Sequence, residues 1–143
     1  RADFHKNSTH PVRFGRMACG DCHNAHGSTN PALLIKATVN QTCYSCHADK
    51  RGPLLWEHAP VAEDCTICHS SHGSVRAALL TKSPPLLCQQ CHSSAGHPSV
   101  ARTGNALPGG SAGASVFLLA GGCTNCHSQV HGSNHPAGAR LMR

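Results

Sequence analysis

All ten cysteines of this 143-residue chain stand in C-x-x-C pairs, and each pair is followed at once by histidine: Cys19, Cys22, His23; Cys43, Cys46, His47; Cys65, Cys68, His69; Cys88, Cys91, His92; Cys123, Cys126, His127. No cysteine is left over. Two thiols at this spacing can add to the two vinyl groups on one edge of a porphyrin. The adjacent histidine then lies under the iron as an axial ligand, which makes C-x-x-C-H the attachment signature of c-type haem. Five covalently bound haem c groups are the expected cofactors. The ten cysteines would hold them through thioethers, and His23, His47, His69, His92 and His127 would be the proximal metal ligands.

Two other chemistries use paired cysteines. Zinc ribbons do, and the 20 residues between Cys22 and Cys43 fall in their range. Small exported chains with even cysteine counts usually form disulfides. Neither requires a histidine after every pair. At the histidine frequency of this chain, five such hits by chance come to roughly 6 in a million, so haem is the reading retained.

Eight of the 13 histidines remain for the sixth coordination positions. Methionine is the other common axial ligand, but Met17 and Met142 are the only two, so histidine must serve at least three of the irons. His26, His72 and His131 follow a motif, while His10, His58 and His97 precede one, and these six are the expected distal candidates for five irons. A histidine three residues after a proximal one is badly placed to swing over its own porphyrin, so the first class is expected to ligate neighbouring haems. His5 and His135 fall outside the repeat, though either could replace a member of the second class. An iron closed by two histidines is low-spin and has no open position for substrate. The expected function is therefore electron transfer between redox protein partners, with no catalysis of its own. The competing readings are a small haem reductase with one open iron, and a subunit of an extracellular cytochrome filament with a ligand donated across the boundary by His5 or His135.

The elements that must position these residues come from an internal repeat. From Cys19 to Cys65 is 46 positions and from Cys43 to Cys88 is 45, and each stretch carries C-x-x-C-H-x-x-H-G-S, a Leu-Leu pair and a second motif. One pentahaem domain, residues 1–143, is expected in units 10–57, 58–96 and 97–143, with stacked porphyrins in place of stacked secondary structure. Proline and glycine interrupt every candidate helix, and no hydrophobic period runs for eleven residues. The expected fold class is a multihaem cytochrome c, mostly coil, with short α-helices wrapped around a closely packed haem chain and little or no β-structure. The turn-rich stretch 103–114 predicts a loop that lets the fifth haem sit apart.

Composition agrees. Leu, Ile, Val and Phe make up about 17% of the chain, too little for an aliphatic core, so a cofactor must supply one. The formal charge of +6 forms no basic stripe: all six acidic residues lie within the first 64 positions, and only five basic residues follow. With five aromatic residues there is no base-stacking platform, which excludes nucleic acid as a partner. Ten haem propionates and five ferric centres would bring the charge to roughly +1 oxidised and −4 reduced. The longest apolar run, Val116 to Ala120, is far short of a transmembrane segment. Haem attachment follows export, so a periplasmic, extracellular or outer-membrane-associated setting is expected.

The C-x-x-C-H-x-x-H-G-S units, the stretch Leu55 to Val61, the motif Leu86 to His92 and the segment Cys123 to Pro136 resemble the carboxy-terminal half of the MtrA-type decahaem cytochromes, including those paired with dimethyl-sulfoxide reductases. That resemblance implies bis-histidine haems forming a wire from the periplasm through an outer-membrane barrel, with the barrel, another cytochrome or a terminal reductase as partner. Five motifs are half the family's number. In size the chain is nearer to the pentahaem electron donor of periplasmic cytochrome c nitrite reductase, a more distant resemblance.

Overall fold

The structure is a computed structural model and describes residues 2–30, 32–93 and 123–143. His97 and the predicted loop 103–114 lie outside the described residues.

Among the described residues regular structure is confined to single turns. Two are α-helical, α1 (Val39–Tyr44) and α2 (Ala59–Glu63), and the rest are 3₁₀ turns of three or four residues. Each has a local cause. Thr38 begins α1 by accepting a hydrogen bond from the Gln41 amide at 3.1 Å. Pro60 sits in the first turn of α2, where its missing N–H costs nothing. Asp64 ends α2, and its Oδ1 accepts from the Thr66 amide at 2.7 Å to start the turn that carries Cys65. Four isolated β-bridges replace strands.

All five motifs share one backbone form. The amide of the second cysteine donates to the carbonyl of the first at 3.1–3.3 Å, and the histidine amide donates to the same carbonyl at 2.8–3.0 Å. A single helical turn sets both thiols on one side, as i and i+3 neighbours must lie. Motifs one and three then fold back on the Leu-Leu pair downstream. Asn24 N donates to Leu33 O and Ile35 N to Cys22 O, and Ser70 N and Thr81 N repeat this with Leu79 O and Cys68 O. Leu33, Leu79 and Leu141 all carry φ between 54° and 58°, so the same strained corner recurs in three units.

No hydrophobic residue is buried among the described residues, as the composition predicted, and the buried side chains are Asn40, Thr42, Ser74 and Ser133. Asn40 serves as a polar core. Its Nδ2 donates to the carbonyls of Val61 and Ala62 at 3.0 and 3.1 Å, and its Oδ1 accepts from the Cys65 amide at 2.8 Å. It thereby binds α1 to α2 and to the third motif. Serine turns link the units. Ser74 exchanges both backbone hydrogen bonds with Ser8, and Ser133 exchanges both with Trp56.

Candidate functional site

The fold-back that follows motifs one and three fixes ring orientation. His23 Nδ1 lies 2.8 Å from Ala32 O, His69 Nδ1 2.7 Å from Ala78 O, and His127 Nδ1 2.7 Å from Arg140 O. A carbonyl only accepts, so each Nδ1 carries the proton and each Nε2 is the nitrogen that bears the lone pair. Two histidines outside the motifs are fixed the same way. His10 Nδ1 is 2.8 Å from Ser71 O, and His58 Nδ1 is 2.8 Å from Val130 O.

The histidine rings face one another in four pairs. Ring centres are 5.9 Å apart for His23 and His72, 6.3 Å for His10 and His47, 6.1 Å for His69 and His131, and 6.0 Å for His58 and His92. Such separations fall in the range of offset or tilted ring pairs. They also leave room for two metal–imidazole bonds of about 2 Å each, so each pair of histidines would be able to hold one metal ion between them. Every pair joins a motif histidine to a histidine outside the motifs, and in every pair one ring is anchored through Nδ1. Phe4 lies 5.4 Å from the His72 ring and backs it. Burial, followed by the Lys50 charge, pushes the His131 imidazole below its usual pKa, which favours the neutral, ligating form.

The structure thus brings together His10, His58, His72 and His131 of the six expected distal residues, each with a motif histidine. His26 stands exposed without a ring partner among the described residues, and His97 lies outside them. Of the two histidines outside the repeat, His5 is exposed with no ring partner among the described residues. His135 Nδ1 accepts from the Ala137 amide at 3.1 Å, so its proton sits on Nε2, the wrong tautomer for ligation there. The reach of the first class is longer than expected. His72 faces the motif two before its own rather than the adjacent one, and so does His131.

The thiols run in chain order. The thiol of a following motif adds to the rise in pKa of one before it: Cys46 for Cys22, Cys65 for Cys43, Cys91 for Cys68 and Cys123 for Cys88. Burial, then the Cys65 thiol beside it, pushes Cys43 up to about 11. Cys22, Cys65, Cys68 and Cys88 are raised too, with burial the largest cause in each. Redox-catalytic thiols show the opposite shift. None of the ten is in a disulfide. Among the described residues no three His, Cys, Asp or Glu converge as metal ligands.

Three positioning residues escaped the sequence reading: Asn40, Ser8 and Trp56. Asn40 gave a signal, a buried-type role for an amide inside a helix, where asparagine is otherwise disfavoured. Trp56 gave one as the lone tryptophan two residues before His58. Its Nε1 donates to His135 O at 3.0 Å.

Comparison with known proteins adds the following. The family described as Doubled CXXCH motif matches residues 10–52 and 58–97, more than half of the chain. Over all 143 residues the chain is 56% identical to the multiheme cytochrome MtrA of Shewanella baltica (strain OS185), and it spans 43% of that protein's length.

Proposed function

The chain belongs to the multihaem c-type cytochromes of the doubled-CXXCH family, and from that premise we propose that it passes electrons along five covalently held haem c groups. When bound, haem supplies reversible one-electron chemistry. The protein's part is to attach, orient and close. The ten motif cysteines attach, and the five motif histidines close one face. His72, His10, His131 and His58 close the other face for motifs one to four, with His97 assigned to motif five. The four ring pairs at 5.9–6.3 Å carry this reading. An Nδ1–H donated to a carbonyl also fixes the ring and makes the opposite nitrogen the stronger ligand it would offer to iron.

Among the described residues no helix is long and apolar enough to cross a membrane. The protein serves redox protein partners in the periplasm or at the outer membrane, and a barrel with a second cytochrome or a terminal reductase fits that role. Partners meet a surface of mixed charge, so docking is weak and salt-sensitive.

Intact mass and spin state test this together. The polypeptide should carry five haem masses on residues 19–127, all low-spin in the ferric form by electron paramagnetic resonance. A folded haem-free or zinc-loaded chain, or a stoichiometric high-spin haem that binds nitrite, overturns the reading.

A further inference from the structure

The segment 3–10 closes over the turn at residues 71–74 at four points. The Asp3 carbonyl lies against Gly73, where φ is 144° and a Cβ would fall on that carbonyl. Ser8 exchanges both backbone hydrogen bonds with Ser74, at 2.9 and 2.8 Å, and its Oγ accepts from the Leu79 amide at 3.0 Å. His10 Nδ1 donates to Ser71 O at 2.8 Å. The fourth point is a ring: Phe4 lies 5.4 Å from His72, centre to centre, with the two planes tilted by 57°.

Phe4 stands on a turn that is closed independently of His72. Residues Ala2–His5 form a single 3₁₀ turn, the Lys6 amide donates to Asp3 O at 3.1 Å, and Lys6 Nζ reaches Asp3 Oδ1 at 2.5 Å. The bonds at Gly73 and Ser74 fix the backbone that carries His72, but they leave its ring free to turn, because the torsion about an imidazole Cβ–Cγ bond is broad. In His10 and His58 an Nδ1–H donated to a distant carbonyl fixes that torsion. For His72 the ring of Phe4 supplies the restraint. Tilted aromatic rings at this separation attract edge to face, so the contact has a preferred orientation as well as bulk.

We propose that Phe4 is a positioning residue for the haem of motif one: it sets the plane of the His72 ring, and through that plane the ligand field and reduction potential of one iron. This rests on His23 and His72, whose planes lie 31° apart, acting as ligands of the same iron. The plane of an axial imidazole decides which iron d orbitals its π electrons meet. A turned ring therefore changes the low-spin g values and the potential while its nitrogen stays bound, which is how a residue outside the coordination shell tunes a metal. Phe4 faces one ring of one pair, so the effect belongs to one haem.

Electron paramagnetic resonance of the ferric, haem-loaded protein, with a redox titration of the same samples, tests this. His72→Ala first identifies the signal, since the low-spin component it removes belongs to the haem of motif one. Phe4→Leu fills the space without a flat face. It should displace or abolish that component alone and shift that haem's potential, with the other components unmoved. Phe4→Tyr keeps the ring and should leave the component in place. The proposal is overturned if Phe4→Leu lowers the melting temperature but leaves the component where it was, which makes Phe4 a packing residue only. It is equally overturned if a different component moves, if all move together, or if Phe4→Tyr displaces the signal as far as Phe4→Leu does. Failure of the His23–His72 pairing reads differently: His72→Ala then removes no low-spin component, and the proposal falls with the pairing.

Discussion

Motifs one and three differ from motifs two and four in where ring orientation comes from. At the odd motifs the attached histidine anchors itself, His23 on Ala32 O and His69 on Ala78 O, through the local fold-back on the Leu-Leu pair. At the even motifs no such bond accompanies His47 or His92 among the described residues. There the borrowed ring is the anchored one, His10 on Ser71 O and His58 on Val130 O, across 61 and 72 positions of chain. An odd site is thus half built before the units meet, while an even site exists only once they have docked. Stability and coordination are joined more tightly at the even sites.

Substitution of the borrowed ligands tests this most directly. His58→Ala should open the fourth haem to a high-spin or water-ligated state, and it should also orphan the Val130 carbonyl, costing about 1–3 kcal/mol more than His72→Ala. A thermal melt followed in the haem absorption band, with spin state from electron paramagnetic resonance, reads both effects. His72→Ala should open one haem while leaving all five thioether pairs intact and His23 held. Equal loss of stability in the two variants would erase the distinction between self-anchored and borrowed orientation.

The unit junctions sharpen it. Gly73 has φ of 144° and a Cβ there would strike the Asp3 backbone, so Gly73→Ala combines backbone strain with a clash, about 2–5 kcal/mol. In the 143-residue chain Gly27→Ala bears the strain alone, about 1–3 kcal/mol. Chemical denaturation of the pair measures the difference, and the first should lower the stability of the even site held by His10 as well. Asn40→Leu keeps the volume and removes the bonds to Val61 O, Ala62 O and Cys65 N. It should cost about 2–3 kcal/mol with every haem still low-spin, because the residue positions the third motif without touching a ligand. The smallest effect is expected from His135→Ala, which loses the bond from the Ala137 amide, about 0.5–1.5 kcal/mol, and leaves the spectrum unchanged. A high-spin signal in that variant would return His135 to the ligand set.

Much of the site was legible because haem attachment is local chemistry. Two thiols and a histidine within five residues adopt one helical turn whatever surrounds them, so the ten cysteines and five proximal histidines could be named without a fold. The repeat singles out His10, His58, His72 and His131 by equal offsets from equal motifs, and in the structure each of the four rings stands beside a motif histidine. His26 shares the local turn of His72 but has no ring partner among the described residues. The missing core was legible too, since about 17% of strongly apolar residues cannot enclose an interior.

Pairing was decided by tertiary structure alone. Nothing in the spacing says that His72 looks back two motifs to His23 while His10 looks ahead to His47, or that Asn40 reaches Cys65. Those relations depend on which carbonyls and serine turns meet when the units dock, through hydrogen bonds between residues 61 to 79 positions apart. A covalent motif carries its geometry within itself. A pair of histidine rings needs two distant segments at one point, and the backbone bridges at Ser74 and Ser133 bring such segments together.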